Sequence, residues 1–275
     1  MNADLRPIGP GDVPRLTELH NAAFSDYPIP ARLDPPALQA YLDETGVRPE
    51  LSRVAWVDGQ PASFCLGAIR GDRGSIRGEG TRPEHRRTGL GRLVLDATME
   101  ALRGAGAATV GLEVLDGNDA ALELYRREGF EQFRRLVGFV VKRSDRPPLR
   151  ERLMRGPLTA LDSDDAVRLL TQWGWPEAPW QLQPESLAAI PAQVLAESVV
   201  LFGKRRGDQF WLYAIVVDPA HRREGLATRA VVALDAAWVG VPALVPQDWE
   251  QARLLFESMG GTVEAHTQWE MVRRL

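Results

Sequence analysis

One ten-residue pattern occurs twice in this chain, as Arg82-Pro83-Glu84-His85-Arg86-Arg87-Thr88-Gly89-Leu90-Gly91 and as Asp218-Pro219-Ala220-His221-Arg222-Arg223-Glu224-Gly225-Leu226-Ala227. Each copy follows an extended stretch and precedes an amphipathic one. A strand that turns straight into a glycine-rich helix start leaves backbone N–H groups unpaired, and such a helix end binds anions. One copy alone would fit an ordinary helix start with surface arginines. Two copies in matching context predict two related modules, each with an anion site.

The anion site is not of the two best-known glycine-rich types. Neither copy has the lysine of a P-loop, and neither has the third glycine of a dinucleotide-binding fingerprint. A Cβ at Gly89 or Gly91 would hold a diphosphate away from the backbone N–H groups, whereas Arg86 and Arg87 could add charge-assisted hydrogen bonds. The pattern therefore predicts a diphosphate site built from backbone and arginines.

Composition and charge exclude several classes of partner. The chain has 275 residues, 44% of them hydrophobic and 25% charged, and a net charge of −4, which lacks the basic excess typical of nucleic acid binding. We expect no nucleic acid partner. We find no signal core and no apolar stretch of the roughly 20 residues that a membrane helix needs, so we expect no membrane contact and a cytoplasmic location. The single cysteine, Cys65, lies in an apolar run that predicts a buried thiol, and the four histidines lack metal-ligand spacing, so we expect no metal.

Hydrophobic periodicity predicts the same order of elements in both halves. In the first half, we predict helices at Val13–Phe24, from Pro35, at Gly89–Gly104 and at Asp119–Glu128, and strands at Leu51–Val57, Pro61–Ala68, Ser75–Arg82 and Thr109–Leu115, with a last hairpin or paired strands at Phe130–Val141. In the second half, we predict helices at Asp164–Trp173, Gly225–Val239 and Gln251–Met259, and strands at Glu197–Gly203, Gln209–Val217, Pro242–Val245 and Thr262–Arg273. The charged segment Lys142–Pro148 is typical of a linker, and we place the domains at residues 1–145 and 152–275.

These motifs resemble the GNAT superfamily of acyl-CoA N-acyltransferases, in a tandem two-domain form. The turn resembles the family's acyl-CoA motif, and the run from Leu112-Glu113-Val114 through Asn118 and Leu124-Tyr125 to Gly129-Phe130 resembles its second motif. The resemblance implies an α/β (α+β) fold with two tandem modules, each a mixed, mostly antiparallel sheet flanked by helices. It also implies acetyl-CoA as the acyl-donor substrate and a small-molecule amine or a peptide N-terminus as the acceptor.

The resemblance assigns cofactor contacts in both modules. In the first module it implies that the β-strand backbone at Glu79, Gly80 and Thr81 pairs with the pantetheine arm, that the turn cradles the diphosphate, and that Asn118 lies near the thiol end. The implied turn residues are Arg86, Arg87, Thr88, Gly89, Leu90, Gly91 and Arg92. In the second module the corresponding residues are Ile215, Val216, Val217, Arg222, Arg223, Gly225, Leu226 and Ala227.

The reaction needs a proton acceptor for the amine and a donor for the departing thiolate. The first module is particularly similar to the ribosomal-protein alanine N-acetyltransferases, which implies Glu113 as base, directly or through water, and Tyr125 as acid. The alternative interpretations are a solvent-facing strand carboxylate for Glu113 and a packed core aromatic for Tyr125. Cys65 lies outside these motifs, so we expect direct attack by the amine without an acyl-enzyme.

The second module has lost these groups, because aligning Gly260 with Gly129 puts Phe256 opposite Tyr125, Trp249 opposite Asn118 and Leu244 opposite Glu113. We therefore expect catalysis in the first module. Three alternatives stay open: a catalytic second module with a supporting first one, as in the tandem mycothiol synthases; a non-catalytic sensor that binds CoA; and a nucleotide other than CoA in both sites. The chain could be a monomer or a homodimer.

Overall fold

The computed structural model of the chain describes residues 3–29, 32–145, 157–174 and 177–275. It forms two compact units. Unit 1 comprises Met1–Phe133 and Glu270–Leu275, and unit 2 comprises Arg134–Trp269. Within the described ranges, every helix is too short or too polar to cross a bilayer.

The helices and strands follow in an order that repeats. The helices are α1 (Val13–Ala23), α2 (Pro35–Thr45), α3 (Leu90–Gly104), α4 (Asp119–Arg127), α5 (Ser163–Trp173), α6 (Pro184–Leu187), α7 (Leu226–Ala233) and α8 (Glu250–Glu257). The strands are β1 (Asp4–Arg6), β2 (Arg53–Val57), β3 (Gln60–Arg70), β4 (Arg73–Thr81), β5 (Thr109–Leu115), β6 (Glu131–Lys142), β7 (Thr159–Leu161), β8 (Ala192–Leu195), β9 (Val199–Arg206), β10 (Gln209–Val217), β11 (Trp238–Pro246), β12 (Thr262–Val263) and β13 (Gln268–Arg274).

The sheet of unit 1 has the strand order β1-β2-β3-β4-β5-β13. Its pairs are antiparallel from β1 to β4, and β4 lies parallel to β5. Asp58 (φ 49°) and Gly59 (φ 75°) join β2 to β3, and both adopt the left-handed conformation that a type I′ turn requires. Leucines of α1 and α2, namely Leu16, Leu19, Leu38 and Leu42, pack with Phe64 and Leu66 of β3 in one buried cluster. The hydrophobic periodicity of the first half is thus the core-facing side of these helices.

The sheet of unit 2 repeats this plan, with the order β7-β8-β9-β10-β11-β6. Antiparallel pairs run from β7 to β10, β10 lies parallel to β11, and β6 closes the sheet antiparallel to β11. One buried cluster includes residues of α7 with Phe210 and Leu212, and another includes Leu170 and Trp173 of α5. Two mixed, mostly antiparallel sheets flanked by helices confirm the predicted fold class.

The last strand of each sheet comes from a distant part of the sequence. Residues from Glu270 onward belong to unit 1, where β13 lies beside β5 and the Leu275 N–H donates to the Ala108 carbonyl at 3.0 Å. Most of β6 belongs to unit 2, where it pairs with β11. The units therefore differ from the predicted domains 1–145 and 152–275, because each sheet is closed by a strand that the linear division assigns to the other module.

Four predicted elements differ from the structure. The strand predicted at Pro242–Val245 is longer, because β11 begins at Trp238 and ends at Pro246. Residues 130–141 contain one strand, β6, rather than a hairpin, and β6 extends into the predicted linker as far as Lys142. The rest of that linker is a short 3₁₀ turn up to Asp145, and 146–148 lie outside the described residues. The helix predicted to reach Val239 ends at Ala233, because Asp235 (φ 46°) turns the backbone and Val239 lies in β11.

We predict that removing residues 270–275 destabilises unit 1, although these residues end the chain. The deletion removes most of β13, which lies beside β5, and so exposes the backbone of β5. Amide hydrogen exchange should show lost protection in β5, whereas the control Arg274→Ala, at an exposed side chain, should leave it intact. Unchanged protection of β5 in the truncated chain would contradict this assignment of β13.

Candidate functional site

In unit 1, β4 and β5 separate part-way along their length. The parallel register joins Arg73–Ile76 to Thr109–Leu112, and both strands continue beyond it. At that point β4 has a bulge, because Leu66 pairs with Gly78 and Gly67 pairs with Ile76, which leaves Arg77 as the extra residue. Beyond the bulge, residues 78–81 are half-buried. An extended edge of backbone is therefore accessible at the carboxyl end of β4.

The turn at residues 82–89, which follows β4, places the start of α3 beside this edge. Arg87 (φ 61°) and Gly89 (φ 90°) are both left-handed, and Gly89 is the N-cap of α3 without any side-chain cap. Since no side chain caps the first turn, its backbone N–H groups are available to an anion. A Cβ at Gly89 would meet no atom within 4 Å, so the space above the turn is open.

Arg86 holds the turn in place. Its guanidinium donates to both carboxylate oxygens of Asp26 at 2.6 and 2.8 Å, to the Ala23 carbonyl at 2.9 Å and to the Thr81 carbonyl at 3.4 Å. These bonds lower the pKa of Asp26. The side chain thus ties the end of β4 to the end of α1. The predicted contact of Arg86 with a diphosphate stays a prediction, while the side chain of Arg87 is exposed.

Unit 2 repeats this geometry residue by residue. Arg222 donates to the Val217 carbonyl at the end of β10 (3.2 Å) and to the Trp173 carbonyl at the end of α5 (2.9 Å). Arg223 (φ 68°) and Gly225 (φ 74°) are left-handed, and Gly225 is an N-cap without a side-chain bond. The strand β10 has its register shift between Leu212 and Ala214, and its parallel pairing with β11 covers only residues 209–211 of β10.

A cavity of about 770 Å³ opens in unit 2 where β10 and β11 separate. It is lined by every residue that the sequence assigned to the second cofactor site: Ile215, Val216, Val217, Arg222, Arg223, Gly225, Leu226 and Ala227. The aromatic residues Trp173, Tyr213, Trp249 and Phe256 also line it. The structure therefore brings the predicted residues of unit 2 together around one cleft.

Glu113, the predicted base, is engaged in an ion pair. Its Oε2 lies 2.8 Å from Nη1 of Arg77, and the two side chains are only 7% and 3% exposed. Tyr41 of α2 donates its hydroxyl to the Arg77 carbonyl at the bulge. Glu113 is therefore neither solvent-facing nor free of a partner, and its role as base stays a prediction.

Tyr125, the predicted acid, forms a pair with Glu79 rather than with Glu113. The Tyr125 side chain is buried and packs edge-on against Phe130, and its hydroxyl lies close enough to the Glu79 carboxyl group for the two groups to interact. Burial, together with the charge of Glu79, raises the pKa of Tyr125 well above its usual value. Burial also raises the pKa of Glu79 to about 7, against the lowering effect of the Tyr125 hydroxyl.

The side chain of Glu79 is the functional candidate that sequence reasoning missed. The resemblance gave Glu79 a backbone contact only, because family members usually have apolar residues in this strand. Its Oε2 is buried without a hydrogen-bond partner among the described residues. A Cβ built at Gly91 would lie 3.0 Å from its Oε1, so the carboxyl group lies against the first turn of α3. The signal was present in the sequence as a carboxylate between two glycines, Gly78 and Gly80.

The other predicted residues of unit 1 have structural contacts. Asn118 caps α4, because its Oδ1 accepts from the Ala121 N–H at 3.3 Å. Arg92 is exposed and paired with Glu128 at 2.9 Å. Thr81 shares a 2.8 Å hydrogen bond with Ser63, the Thr88 hydroxyl donates to the His85 carbonyl, and Leu90 is buried at the start of α3, facing the core. Their contacts with a cofactor stay predictions.

Two further features bear on the chemistry. Cys65 is buried, and burial raises the pKa of its thiol well above the usual value, as does the charge of Glu79. Such a thiol is a poor nucleophile. Among the described residues, no three His, Cys, Asp or Glu side chains come together as a metal site.

The three side chains predicted to be lost from unit 2 are absent from the corresponding positions. Trp249 is the N-cap of α8 as Asn118 is of α4, but it makes no side-chain cap bond. Phe256 of α8 is stacked on Phe139, with ring centroids 4.9 Å apart. Leu244 is buried in β11. Unit 2 therefore has the cleft without the acid and base candidates of unit 1.

Residues 14–130 match the sequence model of the Acetyltransferase (GNAT) family. This match lies within unit 1. The chain is 32% identical over 139 residues to a mycothiol acetyltransferase of Rhodococcus erythropolis, covering 46% of this chain and 45% of that protein. It is 33% identical over 75 residues to the ribosomal protein bS18-alanine N-acetyltransferase of Escherichia coli, covering 27% of this chain and 51% of that one. The chain thus spans about half the length of these curated relatives.

The tandem arrangement also has a structural counterpart. A tandem GNAT protein from the clavulanic acid biosynthesis pathway superposes with a TM-score of 0.64 at 13% identity, covering 99% of this chain and 98% of that one. At this identity the likeness shows the fold alone. It extends the GNAT fold from unit 1 to the whole chain.

The buried carboxyl group of Glu79 predicts a specific dependence of stability on pH. Its pKa is about 7 in the folded chain against an ordinary 4.5, so the folded state holds the proton more tightly. The stabilisation that comes from this tighter proton binding is fully present below pH 4.5 and is lost as the pH rises through about 7. We predict that the free energy of unfolding of the native chain falls between pH 5 and pH 8 by about 2 kcal/mol more than that of Glu79→Gln.

Urea unfolding at both pH values measures this difference. The matched control is Glu123→Gln, which removes an exposed carboxylate from the same helix as Tyr125 and should keep the native pH dependence. Parallel pH dependences for the native chain and Glu79→Gln would refute the raised pKa of Glu79.

Proposed function

We propose that this chain transfers an acetyl or other short acyl group from acyl-CoA to a primary amine in unit 1. The proposal is carried by one observation: an uncapped helix start, set by a left-handed turn, faces the edge of a strand that has separated from its neighbour. CoA is complementary to such a surface. Its diphosphate matches the helix start, and its pantetheine arm, which carries amides, matches the strand edge.

The residues of unit 1 fit acetyl-CoA as donor substrate. The N–H groups at Gly89, Leu90 and Gly91 and the dipole of α3 favour a diphosphate, to which the exposed Arg87 adds positive charge. The backbone of β4 from Gly78 to Thr81 offers donors and acceptors to the two amides of pantetheine. When bound, the thioester supplies an activated acyl group.

The side chains of unit 1 support direct attack by the amine. Tyr125 is the proposed acid, which donates its hydroxyl proton to the departing thiolate. Glu113 is the proposed base, and because its carboxylate is already paired with Arg77, it would act through a water molecule. The buried thiol of Cys65 gives no support to an acyl-enzyme.

We further propose that unit 2 binds a CoA thioester without catalysing transfer. Its cleft has the turn and the splayed strand, but Phe256 takes the place of the acid. The alternatives are catalysis in unit 2, favoured by the hydroxyl of Tyr213 at the same cleft, and a sensor without activity. The relatives named above point to a small-molecule amine or a peptide N-terminus as acceptor, and the chain could act as a monomer or a homodimer.

We predict that Tyr125→Phe lowers kcat roughly 10²-fold while the KM for acetyl-CoA changes little, because the lost hydroxyl acts only on the leaving group. Release of CoA thiol with a panel of primary amines measures this. Tyr213→Phe is the matched variant in unit 2 and should leave kcat within a factor of two to three. The reverse sensitivity would assign catalysis to unit 2, and no amine-stimulated thiol release would favour the sensor.

We also predict two CoA sites that can be removed separately. Gly89→Asp and Gly225→Asp each place a negative charge at an open helix start, at positions where Asp tolerates the left-handed conformation better than most residues. Calorimetry should show two sites in the native chain and one in each variant, with amine acetylation lost only in Gly89→Asp. Full binding in both variants would contradict the proposed sites.

A further inference from the structure

Glu79 lies where three elements of unit 1 meet. Its strand β4 pairs it with Cys65 of β3, its Oε1 lies against the second residue of α3, and its carboxyl group lies close enough to the Tyr125 hydroxyl of α4 to interact with it. The buried Oε2 has no hydrogen-bond partner among the described residues. An ionised carboxylate would leave this oxygen charged and without compensation, which is costly in a buried site.

Three positions differ together between the two units. The carboxylate of Glu79, the hydroxyl of Tyr125 and the missing Cβ of Gly91 correspond in unit 2 to Ile215, Phe256 and Ala227. The correspondence of the strands is fixed by Arg86 and Arg222, which bond the carbonyls two residues after Glu79 and Ile215. Where the hydroxyl is absent, the carboxylate is absent too, and alanine replaces glycine at the helix start. The carboxyl group therefore accompanies the hydroxyl.

We propose that Glu79 is a positioning residue for Tyr125, holding a proton that frees the Tyr125 hydroxyl to protonate the leaving thiolate. This inference rests on the proposed function. When Glu79 is ionised, the Tyr125 O–H donates to the carboxylate and is turned away from the substrate. When Glu79 carries a proton, its own O–H donates to the Tyr125 oxygen, and the Tyr125 O–H is free to donate elsewhere.

The proton balance closes without a further reactant. As the C–N bond forms and the C–S bond breaks, the sulfur takes the Tyr125 proton and the Tyr125 oxygen takes the proton of Glu79. The carboxylate left on Glu79 regains a proton from solvent after the thiol departs. The attacking nitrogen releases one proton through water to Glu113 and from there to solvent, so the sum of the steps is amine plus thioester to amide plus thiol.

The surroundings favour the protonated form of Glu79 near neutral pH. The titratable groups that face Glu79 and Tyr125 are the Cys65 thiol of β3 and the Tyr27 hydroxyl, while α3 presents the backbone of Gly91. No cation among the described residues contributes to the pKa of Glu79, which burial raises to about 7. The acid form is thus present at the pH where an amine acetyltransferase would work.

The test compares the pH dependence of kcat for amine acetylation in the native chain, Glu79→Gln and Glu79→Leu. The native kcat should fall about tenfold for each pH unit above 7, as Glu79 ionises. Glu79→Gln keeps an N–H donor to the Tyr125 oxygen and should lose this decline, with the KM for acetyl-CoA within a factor of three. Glu79→Leu offers the Tyr125 oxygen no donor, so its kcat should be independent of Glu79 ionisation and at least tenfold below the native kcat measured below pH 7. A decline in Glu79→Gln parallel to the native one would overturn the proposal.

A second measurement keeps this inference separate from the proposed activity. Carbon-13 NMR of labelled glutamate carboxyl groups, with the Glu79 signal assigned by its loss in Glu79→Gln, reports the titration of Glu79 in the absence of substrate. In Tyr125→Phe this titration should shift by at least half a pH unit. If no amine is acetylated, the activity proposal fails while the shift still supports the Glu79–Tyr125 coupling; an unchanged titration overturns the coupling itself.

Discussion

The fold around both clefts depends on one guanidinium in each unit. Arg86 and Arg222 each bond the carbonyl at the end of a strand and the carbonyl at the end of the unit's first long helix. An arginine fork fixes two backbone segments with little remaining freedom. The next residue is in the left-handed region in both units, at Arg87 and Arg223. These arginine hydrogen bonds help to orient the helix start that comes next, and with it the backbone N–H groups of its first turn.

The two units use this common frame differently. In unit 1 the space between β4, α3 and α4 contains a carboxyl–hydroxyl pair, Glu79 and Tyr125. In unit 2 the corresponding helix α8 carries Phe256, whose ring stacks on Phe139. The cleft of unit 2 is a cavity of about 770 Å³ that other aromatic residues also line. The turn and the helix start depend on backbone geometry alone, so unit 2 keeps them without the side chains that correspond to Glu79 and Tyr125.

The sequence predicted most of this frame, because turns and helix starts depend on local chemistry. The strands Thr109–Leu115 and Gln209–Val217 were predicted to the residue. Aligning Gly260 with Gly129 also predicted that unit 2 lacks side chains like those of Glu113 and Tyr125. The sheet that each closing strand joins was not predictable, since local pattern does not reveal it. The engagement of Glu113 with Arg77 and of Tyr125 with Glu79 depends on a bulge and on three-dimensional packing, which spacing does not encode.

A crystal structure of the full chain grown with CoA tests the central claim most directly. The account requires the diphosphate oxygens to lie within hydrogen-bonding distance of the backbone N–H groups at Gly89–Gly91, with the pantetheine arm along β4 beyond the Arg77 bulge. It also requires the guanidinium of Arg86 to keep its backbone bonds in the complex. A diphosphate bound elsewhere on the chain, with the α3 helix start still facing solvent, would contradict the account.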